Sequence, residues 1–481
     1  MNDRFRFTHS LACLVLLGLT TSLTTGAERP NVLFIAVDDL RPELGCYGKS
    51  YIHSPNIDRL AATGVRFERA YCQQAVCGAT RNSLLTGLRP DTTGIYGNTT
   101  SFREVFPDLV ALPQHFKQNG YKSIGMGKIY HQNDPLSWSE PLQPPKYLAW
   151  LLPENQEIME RRREEARKQG LTGTKLSRTA RGPAAEMADV PDDAYPEGKL
   201  TERALAKLRE LKDGPFFLAV GYVRPHLPFN CPKKYWDLYD RKEISLPQPQ
   251  EPPKGAPALA LTNWGEMRTY AGIPKRGPVS DEQALELIHG YRACVSYVDA
   301  QVGRLLDELD RLNLADNTIV IIWGDHGWKL GDWGMWCKHT NFELDTHVPM
   351  IVRAPGAMGN GKSCPALVEY VDIYPSLCEL AGLSSPEHLE GKSFTPLLED
   401  PGMAWKPAAM SQYPRGKNMG YSMRTDRYRL TLWVDQATRE KTEAIELYDF
   451  EKDPRGSVNR AGEPEYKETV ERLTAQLKSL W

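Results

Sequence analysis

Long hydrophobic runs are scarce in this 481-residue chain, and beyond its N-terminal stretch none approaches the length of a bilayer-spanning helix. Charge of one sign is scarce too. Lysine and arginine total 59 against 61 acids, a formal balance of -2, which excludes a general attraction to nucleic acid or to a membrane surface. Any anion binding must therefore come from a local cluster. The 9 cysteines are scattered without the close pairs of a cysteine-bound metal. Cys46, Cys72, Cys231, Cys294, Cys337, Cys364 and Cys378 are expected mostly as buried small residues. Internal repeats are missing as well, so a repeat architecture is set aside. What remains is an ordinary globular composition, long enough for one large domain and a smaller one.

The N-terminus reads as an export signal. Arg4 and Arg6 form a basic start, Leu11 to Leu19 an apolar core too short to span a bilayer, and Thr25-Gly26-Ala27 a small-residue cleavage site. Residues 1–27 are thus expected to be removed near Ala27, leaving a periplasmic or secreted protein with no membrane span.

The rest is organised around Gln73-Gln74-Ala75-Val76-Cys77-Gly78-Ala79-Thr80-Arg81 and the Asn82–Gly87 continuation. A cysteine at a helix start faces unpaired N–H groups and a favourable dipole, so a lowered thiol pKa and an anionic ligand are both expected. Arg81 follows one turn later and can reach the same space with a planar cation.

Strand-like apolar runs end in ionisable residues four times. Asn31–Val37 stops at Asp38-Asp39; Tyr121–Met126 leads to Lys128 and His131; Phe216–Val223 leads to Arg224-Pro225-His226; Thr318–Trp323 leads to Asp325-His326. Runs buried on both faces belong to a parallel sheet, whose ligands sit beyond the carboxyl ends of its strands. Core packing does not explain four such endings. Helical periods intervene at 54–62, 109–118 and 281–312, the last capped by Ser280, so the fold class is α/β with a mostly parallel sheet flanked by helices. The charged run 154–170 inside a Pro-rich stretch reads as a surface insertion whose arginines form a solvated face. A second Pro-rich excursion, 247–278, is placed to wall a pocket. Another strand is read at 347–353 and a helix at 371–380. From Met419 short alternating segments give an antiparallel sheet, closed by a helix over 463–480.

Two adjacent carboxylates repel unless something positive joins them. Asp38, Asp39, Asp325 and His326, with Cys77 as a further neighbour, therefore form a candidate metal site. Carboxylate oxygens suit Ca²⁺ or Mg²⁺, and Ca²⁺ tolerates irregular geometry better, whereas imidazole suits softer ions, so His326 is either a distant ligand or a positioning group. Arg81, Lys128, His131, His226 and Lys338 form a candidate anion site, able to stabilise charged oxygens and to donate a proton to a leaving oxygen.

Cys77-Gly78-Ala79-Thr80-Arg81 followed by Thr86-Gly87 resembles the signature of the type I, formylglycine-dependent sulfatases, cysteine-x-proline-x-arginine then Thr-Gly. Further ordered matches lie in Ser54–Asp58, Arg89–Thr93, Gly127–His131, Arg224–Phe229, Ser296–Asp299, Asp325–Trp328, Thr346–Pro349, Met419–Ser422 and Glu446–Asp449. They run through most of the chain and are closest to iduronate-2-sulfatase-like members. The resemblance implies an alkaline-phosphatase-like catalytic domain (28–415), a smaller C-terminal α+β subdomain (416–481), one calcium ion and conversion of Cys77 to formylglycine (3-oxoalanine). Its hydrate would attack sulfur, with Arg81 and Lys128 on the sulfuryl oxygens, His226 and Lys338 facing the leaving oxygen, and His131 assisting expulsion of sulfate. Ala79 replaces the usual proline, which leaves open whether a formylglycine-generating or another sulfatase-maturating enzyme acts. The implied substrate is a 2-O-sulfated uronic acid or a related sulfated polysaccharide, with Trp328, Trp336 and His339 placed to touch the sugar. A phosphodiesterase or phosphonate monoester hydrolase would use the same residue types, and a non-catalytic carbohydrate-binding relative would have lost some of them.

Overall fold

Seven strands build the central sheet: β1 (Asn31–Val37), β2 (Val65–Tyr71), β3 (Lys122–Gly127), β4 (Phe216–Tyr222), β5 (Thr318–Gly324), β6 (His347–Arg353) and β7 (Ser363–Glu369). Their spatial order is β7-β2-β6-β5-β1-β4-β3. Only β6 runs against its neighbours; the other strands share one direction. This is the arrangement in a computed structural model that describes residues 29–142, 144 and 150–480. The proposed signal segment lies outside the described residues.

Every residue of β1, β4 and β5 is buried. Alternation explains why both faces must be apolar. Leu33, Ile35 and Val37 point into one core layer, while Val32, Phe34 and Ala36 point into the other. The first layer is covered by the 31-residue helix Asp281–Arg311, whose Leu287, Ile288, Val295, Val298, Val302 and Leu306 recur at helical spacing. Ser280 Oγ accepts from Gln283 N at 3.2 Å and caps that helix as its position suggested. The second layer is covered by Ile373–Leu380 and by Leu84 and Leu85 of the Cys77–Thr86 helix.

The charged run forms the helix Pro153–Lys168, which buries only Met159 and Ala166. Its Arg162 binds the carbonyls of Thr179 and Thr269, so it serves to tie down a surface insertion. All eight described cysteines are free, and all but Cys46 are buried. No described helix is long and apolar enough to cross a membrane.

The second sheet is an antiparallel meander of β8 (Ala409–Arg415), β9 (Asn418–Arg424), β10 (Tyr428–Asp435) and β11 (Thr442–Asp449). A division at 415/416 falls inside the β8–β9 hairpin, so the smaller unit draws its first strand from before that point. The closing helix Lys467–Lys478 lays Leu473 and Leu477 onto Met419, Leu430 and Leu432.

Within this sheet Glu446 is buried, accepting from Trp433 Nε1 at 2.7 Å and Tyr448 Oη at 2.6 Å. Burial pushes its carboxyl up to about 7. A carboxyl raised in the folded state holds its proton there and loses it on unfolding. Its contribution is therefore complete below the usual 4.5 and is lost as pH rises through about 7. Denaturant titrations should show stability declining over that window by on the order of 1–3 kcal/mol, and Glu446→Gln should flatten the decline.

Candidate active site

Five strand ends meet at one edge of the sheet. β1 runs into Asp38-Asp39, β3 into Lys128, β4 into His226 and β5 into Asp325-His326, while β2 leads through Cys72 to the Cys77–Thr86 helix. Lys338 enters beside the short ribbon that pairs Lys329–Leu330 with Trp336–Cys337. The helix begins on Cys77 and stops at Gly87, whose φ of 72° forms a left-handed C-cap. Gly78 must be small: a Cβ there would fall on the Gly97 carbonyl and on Asn98, whose Oδ1 receives the Gly78 N–H at 2.7 Å.

Cys77 is buried, with Sγ 3.2 Å from His326 Nε2. The lowered thiol pKa expected from a helix start does not occur. Burial, then the negative charge of Asp38, pushes the thiol well above its ordinary value, and Lys128 and Lys338 offset only part of that. A thiolate is disfavoured here.

Asp38, Asp39 and Asp325 have no solvent exposure at all. Arg81 binds two of them, with Nε 3.0 Å from Asp325 Oδ2 and Nη2 3.2 Å from Asp38 Oδ1. Its remaining nitrogen bonds the carbonyls of Lys128 and Ile129. Lys128 Nζ bonds the other oxygen of Asp38. Asp325 Oδ1 accepts the backbone N–H groups of Asp39 at 2.9 Å and His326 at 3.0 Å. Burial alone would raise both β1 carboxyls. At Asp38 the charges of Lys128, His226 and Arg81 outweigh it and hold the group well below the usual range. At Asp39 burial prevails over His226 and Lys338, helped by neighbouring Asp38, and the carboxyl is raised.

Lys338 Nζ lies 2.8 Å from Asp39 Oδ1 and 3.1 Å from Glu266 Oε2. His226 Nε2 lies 3.0 Å from Glu266 Oε1 and 3.8 Å from Asp39 Oδ2. Glu266 is the member that sequence reasoning missed. It sits in the Pro-rich excursion between Gly265 and Met267, where no period or spacing marks it; its partners are supplied by distant loops. His131 stands exposed at the rim. Desolvation and then Lys128 lower its imidazole, an effect that solvent weakens at so open a position.

Trp328 and Trp336 do not line an opening. Both are buried in the core layer of β1's odd residues, and Trp328 presents its ring to Lys338 Nζ at 4.9 Å. The sugar contact read for these indoles is therefore corrected: apolar burial claims them. His339 does reach open space. With Glu266, Tyr413, Arg415 and the 258–265 segment it lines a cavity of about 800 Å³.

The donor set fits a hard divalent cation. Asp38, Asp39, Cys77 and His226 present ligand atoms within 4.8 Å of one another, as do Cys77, Asp325 and His326. Asp39 Oδ2 is buried without a hydrogen-bond partner, and such an orphan oxygen beside a second carboxylate is an unfilled ligand position. Asp38, Asp39, Asp325 and Glu266 also outnumber Arg81, Lys128 and Lys338. A divalent ion makes the cluster net positive, as binding an anion requires.

Solved structures with the same chain path include a phosphonate monoester hydrolase from Silicibacter pomeroyi, 21% identical with a TM-score of 0.74 over 94% of each chain. BT4656 in complex with its substrate D-glucosamine-2-N,6-O-disulfate superposes with a TM-score of 0.74 and 22% identity, over 94% of this chain and 97% of the other. This likeness places the fold in the alkaline-phosphatase-like class. Sequence narrows it. Residues 30–383 match the family model described as Sulfatase, and residues 331–481 match N-sulphoglucosamine sulphohydrolase, C-terminal. Human iduronate 2-sulfatase is 36% identical over 92% of this chain and 92% of its own length. A sulfatase of Formosa agariphila is 34% identical over 94% of this chain and 86% of its own. The chain belongs to the sulfatase family and is a sulfuric ester hydrolase.

Arg81 carries the site's internal neutralisation, which predicts a large effect for its loss. Arg81→Met removes the cation shared by Asp38 and Asp325, leaving Asp38 to Lys128 alone and Asp325 to backbone N–H groups, and should cost about 3–5 kcal/mol in denaturant unfolding. Arg81→Lys retains the charge but not the two-carboxylate fork, and should recover only part of that stability.

Proposed function

We propose that the protein is an exported sulfatase that hydrolyses a sulfate ester on a carbohydrate, with a 2-O-sulfated uronic acid or a related sulfated polysaccharide as substrate. One observation carries the reading. A buried cysteine at a helix start faces Asp38, Asp39, Asp325 and His326, in a chain 36% identical to human iduronate 2-sulfatase along nearly its whole length. Export is supported by the basic and apolar N-terminal pattern.

Asp38, Asp39, Asp325 and His326, with the side chain at 77, would hold one Ca²⁺, or Mg²⁺ in its place. That ion would supply Lewis-acid polarisation of a sulfuryl oxygen. Oxidation of Cys77 to formylglycine by a maturation enzyme would supply, through the aldehyde hydrate, an oxygen nucleophile in place of a thiol that burial keeps protonated. The other residues orient and exchange protons. Arg81 fixes Asp38 and Asp325 as a rigid pair, and Lys128 holds Asp38 from the side of β3 while bringing positive charge to the anion. His226 and Lys338 carry N–H groups beside Asp39, where a leaving oxygen needs a proton as its bond to sulfur breaks. His131, at the open rim, receives the proton whose loss expels sulfate in the second half-reaction. Each position is filled by a group competent for its role, which argues against a non-catalytic carbohydrate-binding relative.

A phosphonate monoester hydrolase is the second reading, because one such enzyme shares the fold at a TM-score of 0.74. Paired sulfate and phosphonate esters of one alcohol separate the two. The sulfate is expected to be cleaved with the higher kcat/KM, and preference for the phosphonate would overturn the sulfatase assignment of substrate.

Mass spectrometry of the Cys77 peptide from the native host should find the aldehyde form. Cys77→Ala should lower kcat on the order of 10³-fold or more. Chelation should abolish activity, and added Ca²⁺ or Mg²⁺ should restore it without refolding.

A further inference from the structure

We propose that Glu266 is a positioning residue that sets the His226–Lys338 pair for proton donation to the leaving oxygen; this rests on the sulfatase reading of the site. The geometry is specific. One carboxylate divides its oxygens between two donors, Oε1 at 3.0 Å from His226 Nε2 and Oε2 at 3.1 Å from Lys338 Nζ. His226 Nδ1 contacts the Leu227 carbonyl at 2.7 Å, which turns Nε2 toward Glu266. Lys338 is held from its other side by Asp39 and lies over the Trp328 ring. Neither donor has a free choice of direction.

Glu266 is well supported although the excursion's regular structure is limited to short 3-10 turns, Ala258–Ala260 and Met267–Thr269. Trp264, Met267 and Tyr270 are buried on either side of it. Arg268 stacks on Trp264 at 3.3 Å and bonds the carbonyls of Asn263, Pro274 and Gly277. The Glu266 carbonyl receives Thr269 Oγ1 at 2.7 Å. A surface loop spends such fixings to hold a side chain in place.

The carboxylate cannot itself be the acid. Although burial opposes ionisation, Lys338 and His226 hold it well below the usual range. It lines the cavity shared with His339, Tyr413 and Arg415 and bonds the two donors. In the first displacement a bond forms between sulfur and an oxygen of the side chain at 77, whose proton passes to a neighbouring carboxylate of the buried cluster. The bond from sulfur to the leaving oxygen breaks, its electron pair passes to that oxygen, and the Lys338 N–H not taken by Asp39 or Glu266 supplies the proton of the new alcohol. Glu266, anchored on its other oxygen by His226, holds that ammonium at one locus.

A merely structural ion pair would depress all substrates alike, whereas a donor-positioning group matters only where the leaving oxygen needs a proton. Glu266→Gln and Glu266→Asp are to be assayed in the metal-loaded, matured enzyme on a sulfated sugar alcohol and on nitrophenyl sulfate. The ratio of the two kcat/KM values within one preparation is independent of the fraction folded. That ratio is expected to fall about 10–100-fold in Glu266→Gln, the sugar ester losing far more activity than the aryl ester, and to recover partly in Glu266→Asp. An unchanged ratio would overturn the inference, whether activity fell on both esters or on neither. Wild-type enzyme inert toward both esters would instead overturn the sulfatase reading beneath it.

Discussion

Burying Asp38, Asp39 and Asp325 together is the constraint to which the surrounding structure answers. Isolated carboxylates in a dry interior are strongly unfavourable, and three in contact are worse. Arg81 bridges Asp38 and Asp325, Lys128 closes on Asp38, and Lys338 closes on Asp39. This matching needs backbone in unusual conformations. Asp39 has φ of 61°, which directs its N–H to Asp325, and Cys337 and His339 flank Lys338 with φ of 65° and 82°. Left-handed backbone at three non-glycine positions around one cluster is strain held by the neighbouring fold, as functional sites often show.

The sheet makes that convergence possible. β3, β4, β1 and β5 are consecutive neighbours with a common direction, so their carboxyl ends fall side by side at strand spacing. Each strand then contributes one or two charges without a long loop. Close approach is needed at β3 and β4. A side chain at Gly221 would occupy the backbone of Lys128, so glycine there is what brings the Lys128 amine to Asp38. The charged cluster is thus mounted on fully buried strands, where displacing one of its side chains would require displacing the core.

Sequence exposed that part well, and physics says why. Asn31–Val37, Phe216–Tyr222 and Thr318–Gly324 are apolar without alternation because both faces are buried, and charge appears only where burial by the sheet ends. Cys77–Thr86 could be bounded from its Gly87 stop. Other features depend on contacts between distant loops. The raised Cys77 thiol follows from desolvation and Asp38, neither visible in the local helix pattern that suggested the reverse. Glu266 carries no periodic or spacing signal. Trp328 and Trp336 look like sugar platforms from their neighbours in sequence, yet only packing decides which face of the chain an aromatic occupies. The first strand of the second sheet, β8, follows an irregular segment and reveals itself only by pairing with β9.

The cavity beside the charged cluster is built differently from the cluster itself. The cavity outside the charged cluster is walled by 258–266, His339 and Tyr413–Arg415, three segments that the central sheet does not order. Arg415 joins them: its guanidinium bonds the carbonyls of Leu259, Leu261 and His339 and stacks on Tyr413 at 4.2 Å. One side chain from the first strand of the smaller sheet therefore fixes the excursion and the Lys338 loop against each other. The smaller sheet is then part of the wall of this cavity, which is ordered by loop contacts rather than by the central strands. The charged cluster is accordingly fixed by strands that the core holds, whereas the cavity beside it depends on the excursion, the His339 loop and β8 holding one another in place.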